Sequence, residues 1–111
     1  MKNDEPRDLF PGALEMMILR TLRREALHGY AIARSIRENS DDLLRVEEGS
    51  LYPALQRMLK AGWIEGEWTQ SDQNRRVRRY RLTAAGRKNL ERETSQFERM
   101  FAGIQRVMRL T

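Results

Sequence analysis

The sequence predicts an α+β fold that is mostly α-helical, with three short helices, a small β-hairpin and one long C-terminal helix. Apolar residues recur at helical spacing up to residue 62 and again after residue 83. Between these stretches, two runs alternate with a period of two and are separated by a polar turn. The helical spacing and the alternation together indicate the fold class.

The composition limits the classes of protein and of site. A chain of 111 residues fits one domain with a modest core. It contains no cysteine, which excludes disulfides and thiolate metal sites. Because no apolar run approaches the length of a membrane span and no signal-peptide pattern opens the chain, we expect a cytoplasmic protein without a membrane partner.

Two short helices are predicted in the first third of the chain, after an N-terminal arm of residues 1–10. Pro11 suits the first position of a helix, and residues 11–24 have one apolar face. The segment Leu27-His28-Gly29 interrupts this pattern, and a second helix follows over residues 29–38. The apolar residues of the two helices are Leu14, Met17, Ile18, Leu22, Tyr30, Ile32, Ala33 and Ile36.

The third helix ends at Gly62, which can adopt the left-handed conformation of a helix terminus. Pro53 lacks an N–H and therefore belongs in the first turn, so the helix begins near Gly49 or Ser50, with Ser50 as its cap. Its apolar face consists of Leu51, Leu55, Met58 and Leu59. Before this helix, residues 43–46 indicate a short strand. The outer face is small, polar and basic, which suits a DNA major groove but is also typical of an ordinary surface helix.

A β-hairpin follows the third helix directly. Residues 64–69 and 75–82 alternate in polarity around the turn at residues 71–74. A hairpin in this position is a wing, so residues 11–82 are predicted to form a winged helix-turn-helix domain. Of the two tryptophans, both Trp63 and Trp68 are expected in the core, although an indole can also stack on bases.

Residues 83–111 are predicted to form the long helix, with Thr83 as its cap. At about 1.5 Å per residue it would extend roughly 40 Å, which is longer than a domain of this size can cover. Its apolar seam consists of Leu90, Thr94, Phe97, Phe101, Ile104 and Met108. We expect this seam, with Leu9 and Phe10, to bind a second copy of the chain, although it could instead fold back on the first helix.

Charge is distributed unevenly along the chain. Residues 1–48 carry a net charge of −2 and residues 49–111 a net charge of +7, and eighteen of the twenty-one basic residues are arginine. Arginine matches phosphate and guanine geometry, so the basic half favours a nucleic-acid partner. The wing arginines, Arg75, Arg76, Arg78, Arg79 and Arg81, are the densest group. The alternative is a solvated strand that Glu65 and Glu67 partly neutralise.

Catalytic and cofactor sites have no support in the sequence. His28 is the only histidine, and no cysteine or carboxylate cluster accompanies it, so we expect no metal and assign it a local hydrogen bond. Glu47 and Glu48 are adjacent and therefore do not form a facing catalytic pair. There is no phosphate-binding glycine loop and no nucleophile–base pair. We therefore expect neither an enzyme nor a cofactor.

Four stretches in this order resemble the PadR family of winged-helix transcriptional regulators, most closely its short members with a single C-terminal helix. They are Leu27-His28-Gly29-Tyr30, the run Glu48-Gly49-Ser50-Leu51-Tyr52-Pro53-Ala54-Leu55, Gly62-Trp63-Ile64 with Trp68, and Asn74-Arg75-Arg76 through Tyr80-Arg81-Leu82-Thr83-Ala84-Ala85-Gly86. The resemblance covers about residues 10–90. Arg79 departs from the pattern, which usually has an aromatic residue there.

The resemblance implies a homodimeric repressor that binds palindromic operator DNA through its third helix and wing. The residues expected to contact DNA are Tyr30, Ser50, Tyr52, Pro53, Gln56, Arg57, Lys60, Asn74, Arg75, Arg76 and Arg78. Ser50 to Gln56 should contact bases, while Arg57 and Lys60 reach the backbone. Many relatives bind small aromatic effectors at the dimer interface, but a C-terminal region with a single helix, where larger members have several, leaves little room for such a pocket. The alternative is a winged-helix module that binds proteins rather than specific DNA.

Overall fold

The computed structural model describes residues 12–110, which form four helices and a three-stranded antiparallel sheet. The elements in chain order are α1 (Ala13–Arg24), β1 (Leu27–His28), α2 (Gly29–Asn39), α3 (Glu48–Ala61), β2 (Ile64–Gln70), β3 (Arg76–Leu82) and α4 (Ala84–Met108). The strand order is β1-β3-β2. The predicted fold class, an α+β winged helix with a long last helix, is confirmed.

One core joins the helices to the base of the sheet. Each of α1, α2 and α3 contributes apolar side chains at helical spacing, and each exposes its polar side. The buried members are Ile18, Leu19, Leu22, Ile32, Ile36, Leu51, Ala54, Leu55, Met58, Ile64, Tyr80 and Leu90. Trp63 is half-buried against this core, as predicted. Burial also raises the pKa of Tyr80, and the charge of Arg78 opposes part of that rise.

The predicted strand at residues 43–46 is wrong. These residues lie in the connection between α2 and α3, where Asp41 and Asp42 both have positive φ. The third strand of the sheet is instead β1, in the segment that the sequence indicated only as a helix break. Leu27 pairs with Tyr80 and His28 with Arg79, so β1 occupies the free edge of β3.

The third helix begins earlier than predicted. It starts at Glu48, with Glu47 at the cap position, and no side chain caps it, so Ser50 is not the cap. Pro53 therefore lies in the second turn and removes a donor from the Gly49 carbonyl. Because Gly49 is exposed, solvent can hydrate that carbonyl. The predicted end is correct, since Gly62 adopts a left-handed φ of 80°.

The start of α4 packs directly on the end of α3. Thr83 caps α4 by accepting a hydrogen bond from the Gly86 N–H at 3.0 Å, as predicted. The same hydroxyl donates to the Gly62 carbonyl at 2.7 Å, and the Thr83 N–H donates to the Trp63 carbonyl at 3.1 Å. A Cβ at Gly86 would collide with the Trp63 carbonyl oxygen. The start of α4 can therefore approach the Gly62–Trp63 segment this closely only with glycine at position 86.

Within residues 12–110, no helix is both long enough and apolar enough to cross a membrane. The N-terminal arm of residues 1–10 and the helix start at Pro11 lie outside the described residues.

Gly86→Ala should lower the free energy of unfolding by about 1–3 kcal/mol, because the methyl group meets backbone rather than a flexible side chain. Gly103→Ala, in the same helix with nothing within 4 Å of the new Cβ, should raise it by about 0.5–1 kcal/mol. Urea denaturation at one fixed protein concentration measures both. Equal urea midpoints of unfolding for the two variants would contradict the close contact between position 86 and the Trp63 carbonyl.

Candidate nucleic-acid interface

The outer face of α3 presents a continuous row of exposed polar side chains. Helical spacing brings five of the predicted residues to this side of the helix, and all five are exposed. They are Ser50, Tyr52, Pro53, Gln56 and Lys60. Glu47 and Glu48 lie at its N-terminal end, where their charge suits the positive end of the helix dipole. The row itself carries no acidic residue.

Tyr52 and Tyr30 come from different helices and both lie near the start of α2. A Cβ at Gly29 would lie 2.8 Å from the Tyr52 hydroxyl, so the ring of Tyr52 rests against the bare backbone of Gly29. Tyr30 is 54% exposed, so it belongs to the surface rather than to the apolar face of its helix. Its ring stacks on His28 with 5.5 Å between centroids.

His28 connects the start of α2 to the wing. Its Nε2 lies 3.0 Å from the Thr69 hydroxyl in β2, so it makes a long-range hydrogen bond instead of the local one predicted. No group of three potential metal-ligating side chains occurs among residues 12–110. The sequence could not reveal the Thr69 contact, because forty-one residues separate the partners.

Arg57 is paired with an acidic residue of α1. Its Nη2 and Nε donate to Glu15 Oε2 at 2.6 and 3.2 Å, and the Glu15 side chain is only 19% exposed. Its guanidinium holds α3 against α1 in this structure. The predicted contact of Arg57 with the DNA backbone stays a prediction. Nothing in the local pattern indicates this pair, because Glu15 belongs to a distant part of the chain.

The tip of the wing is a tight turn organised by Ser71. The Ser71 hydroxyl accepts hydrogen bonds from the N–H groups of Gln73 and Arg75, at 3.3 and 3.2 Å. Asn74 has φ of 65°, a conformation that asparagine tolerates better than most residues. Asn74 thus shapes the turn, and it exposes Arg75 at the tip.

The wing arginines have two different environments. Arg81 pairs with Glu65, and that ion pair raises the pKa of Arg81. Arg76 and Arg78 lie instead over the indole ring of Trp68, at 4.7 and 5.5 Å from its centroid. Trp68 is 56% exposed, so its predicted place in the core is wrong. Alternation could not reveal this, because it places Ile64 and Trp68 on one face of β2 but does not show that the core covers only Ile64.

Comparison with known proteins places these features in a family. The model of the transcriptional regulator PadR-like family matches residues 18–92, which include α2, α3 and the wing. This chain belongs to the PadR family. The predicted resemblance is therefore confirmed, and the protein is a PadR-family transcriptional regulator.

Solved structures of transcriptional regulators agree with this assignment. A transcriptional regulator from Clostridium thermocellum is 28% identical, with a TM-score of 0.80 over 86% of this chain and 93% of that one. A PadR family transcription regulator from Clostridium difficile is 27% identical, with a TM-score of 0.74 over 87% and 99%. An uncharacterized protein from Lysinibacillus sphaericus is 28% identical over 80 residues, which are 72% of this chain and 73% of its own.

The long helix of this PadR protein divides into a packed half and an exposed half. Leu90 is only 4% exposed and belongs to the core, so its own chain already covers this member of the predicted seam. Thr94 and Phe97 are half-buried, and every residue from Glu98 to Leu110 is exposed. The large apolar side chains in this exposed half are Met100, Phe101, Ile104, Val107, Met108 and Leu110. Leu9 and Phe10 lie outside the described residues.

Cavities on either side of α1 differ in size. The one between α1 and α4 has a volume of about 110 Å³ and includes Met16, Glu93, Phe97 and Met100 in its lining. This is small beside the roughly 300–1,000 Å³ of ordinary ligand pockets. A larger depression of about 320 Å³ lies between α1 and α2, away from α4. The cavity beside the seam is thus smaller than an ordinary ligand pocket.

Glu15→Gln and Arg57→Gln should each lower the free energy of unfolding by about 0.5–1 kcal/mol, since solvent partly screens the pair. The double variant should be no less stable than either single one, because one interaction is lost in all three. Chemical denaturation measures this, with the exposed Gln56→Ala as the control. A change of DNA base preference in Arg57→Gln alone would instead make Arg57 a base contact.

Proposed function

We propose that this PadR-family protein is a cytoplasmic homodimer that represses transcription by binding palindromic operator DNA. The observation that carries the proposal is the acid-free outer face of α3 beside a wing with four arginines outside any ion pair among residues 12–110. These four are Arg75, Arg76, Arg78 and Arg79. Repression is supported only by the resemblance to PadR regulators.

The third helix is the proposed reading element. A B-DNA major groove is about 12 Å wide and admits one α-helix. Ser50, Tyr52 and Gln56 would face base edges, because they lie toward the N-terminal end of the exposed row. Lys60 lies about two turns beyond Tyr52 and would meet backbone phosphate. Glu47 and Glu48 would repel phosphate at the entry point, which supports a defined docking position rather than general adhesion to polyanions.

A second copy of the chain is the proposed cover for the exposed half of α4. Six large apolar side chains between Glu98 and Leu110 are exposed in the single chain, which is an association liability unless a partner covers them. A two-fold axis through this helix would place two copies of α3 on one side of DNA. A dimer of that symmetry reads an inverted repeat.

Selection of bound duplexes from a random pool should yield an inverted repeat with half-sites about one helical turn apart. Affinity for the selected duplex should fall steeply with salt, because each phosphate contact contributes about −0.9 to the slope of log affinity against log salt. Enrichment of no sequence, together with no binding at low salt, would contradict the proposal and favour a protein-binding module. Transcription from a promoter carrying the repeat then tests repression.

Ile104→Glu should convert the protein to a monomer in sedimentation, because it places a charge in the centre of the exposed seam. Binding to the full inverted repeat should weaken strongly, since two half-sites are no longer bound together. Ala102→Glu adds the same charge on the opposite side of α4 and should leave the dimer unchanged. If both variants remain dimeric, the seam is not the interface.

A further inference from the structure

The two faces of the wing differ in charge. In an antiparallel pair, residues directly opposite each other lie on the same face of the sheet. One face places Glu65 opposite Arg81 and Glu67 opposite Arg79, so each arginine has an acidic neighbour. The other face places Gly66 opposite Tyr80, Trp68 opposite Arg78 and Gln70 opposite Arg76. We call this second surface the Trp68 face. It holds two arginines and no acid.

An aromatic ring holds both arginines of the Trp68 face. The guanidinium carbons of Arg76 and Arg78 lie 4.7 and 5.5 Å from the centroid of the Trp68 ring, which is within the range of cation–π attraction. An indole attracts a guanidinium without neutralising its charge, whereas a carboxylate would cancel it. The two positive charges are therefore ordered and still available to an anion.

Gly66 provides the space that the second arginine needs. A Cβ at this position would lie 2.6 Å from Arg78 Nε and 3.2 Å from its guanidinium carbon, so the side chain of Arg78 crosses bare backbone. Arg78 Nε is buried and has no hydrogen-bond partner among residues 12–110. A guanidinium in this position keeps its terminal NH₂ groups as its remaining donors, and it is limited to few orientations.

We propose that Trp68 is a positioning residue that orders Arg76 and Arg78 into a two-guanidinium site for the DNA backbone, and that the wing meets DNA with its Trp68 face. The site would accept a phosphodiester group, whose oxygens match the planar donor fork of arginine. Binding an anion would also relieve the repulsion between the two guanidinium groups. The opposite face, with Glu65 and Glu67, would point away from the phosphates. This inference rests on the proposed function, because it assumes that the chain binds DNA.

Two matched arginine pairs test which face meets DNA. Arg76→Gln with Arg78→Gln removes two charges from the Trp68 face, and Arg79→Gln with Arg81→Gln removes the same number from the other face of the same strand. Both are measured on the full chain against the duplex selected from the random pool and against a duplex of unrelated sequence. The first pair should weaken both complexes by about tenfold or more and make the salt slope shallower, while the second should change neither appreciably.

The role of Trp68 is tested by two substitutions and by a double-mutant cycle with the Arg76 and Arg78 pair. Trp68→Leu should weaken binding by about tenfold alone, but by much less when Arg76 and Arg78 are already glutamine, because its effect passes through them. Trp68→Phe retains an aromatic face and should recover most of the affinity. The fluorescence of Trp63, the only other tryptophan, reports whether each variant is folded.

The outcomes separate this inference from the function on which it depends. Equal losses from the two arginine pairs would overturn the choice of face, and additive losses in the cycle would make Trp68 a direct DNA contact rather than a positioning residue. Either result leaves DNA binding by the unaltered protein intact. Absence of binding by the unaltered protein to either duplex would overturn the proposed function and this inference together.

Discussion

The close approach of α4 to the Gly62–Trp63 segment links the long helix to the third helix and to the wing. The Thr83 hydroxyl donates to the Gly62 carbonyl and accepts from the Gly86 N–H, and the Thr83 backbone donates to the Trp63 carbonyl. These bonds join the reading helix, both wing strands and the long helix within a few residues of one another. Because glycine is required at position 86, this contact is made by backbone atoms rather than by flexible side chains. The orientation of the proposed dimer helix is thereby coupled to that of the proposed reading helix.

A second set of contacts determines which basic side chains can meet DNA. Arg57 is tied to Glu15 of α1 and Arg81 to Glu65 of the wing, so two of the arginines that composition alone would assign to a polyanion have acidic partners in the protein. Arg76 and Arg78 are ordered by an uncharged ring instead. Net charge predicts the class of partner, but the distribution of ion pairs decides which surface binds it.

Much of the fold could be predicted because its elements follow from local patterns. Helical spacing marked α1, α2 and the buried face of α3, alternation marked β2 and β3, and Gly62 and Thr83 marked two helix boundaries correctly. The errors arose where a distant segment decided the structure. Leu43, Leu44 and Val46 have apolar side chains suitable for a strand, but the edge of β3 is already paired with β1. Such competition for one sheet edge cannot be read from either segment alone.

The sequence by itself determined the class of element at most positions, the family and the basic character of the second half, because periodicity and motif spacing are local properties. Tertiary structure decided which residues of each pattern are exposed. Leu90 lies in the core although it continues the seam of Phe101 and Ile104, since α1 covers only the first half of α4. Trp68 is exposed although it shares a strand face with the buried Ile64, since it lies opposite Arg78, beyond the residues of β3 that pair with β1. Exposure depends on which neighbours the chain brings together, and that information belongs to no single stretch of sequence.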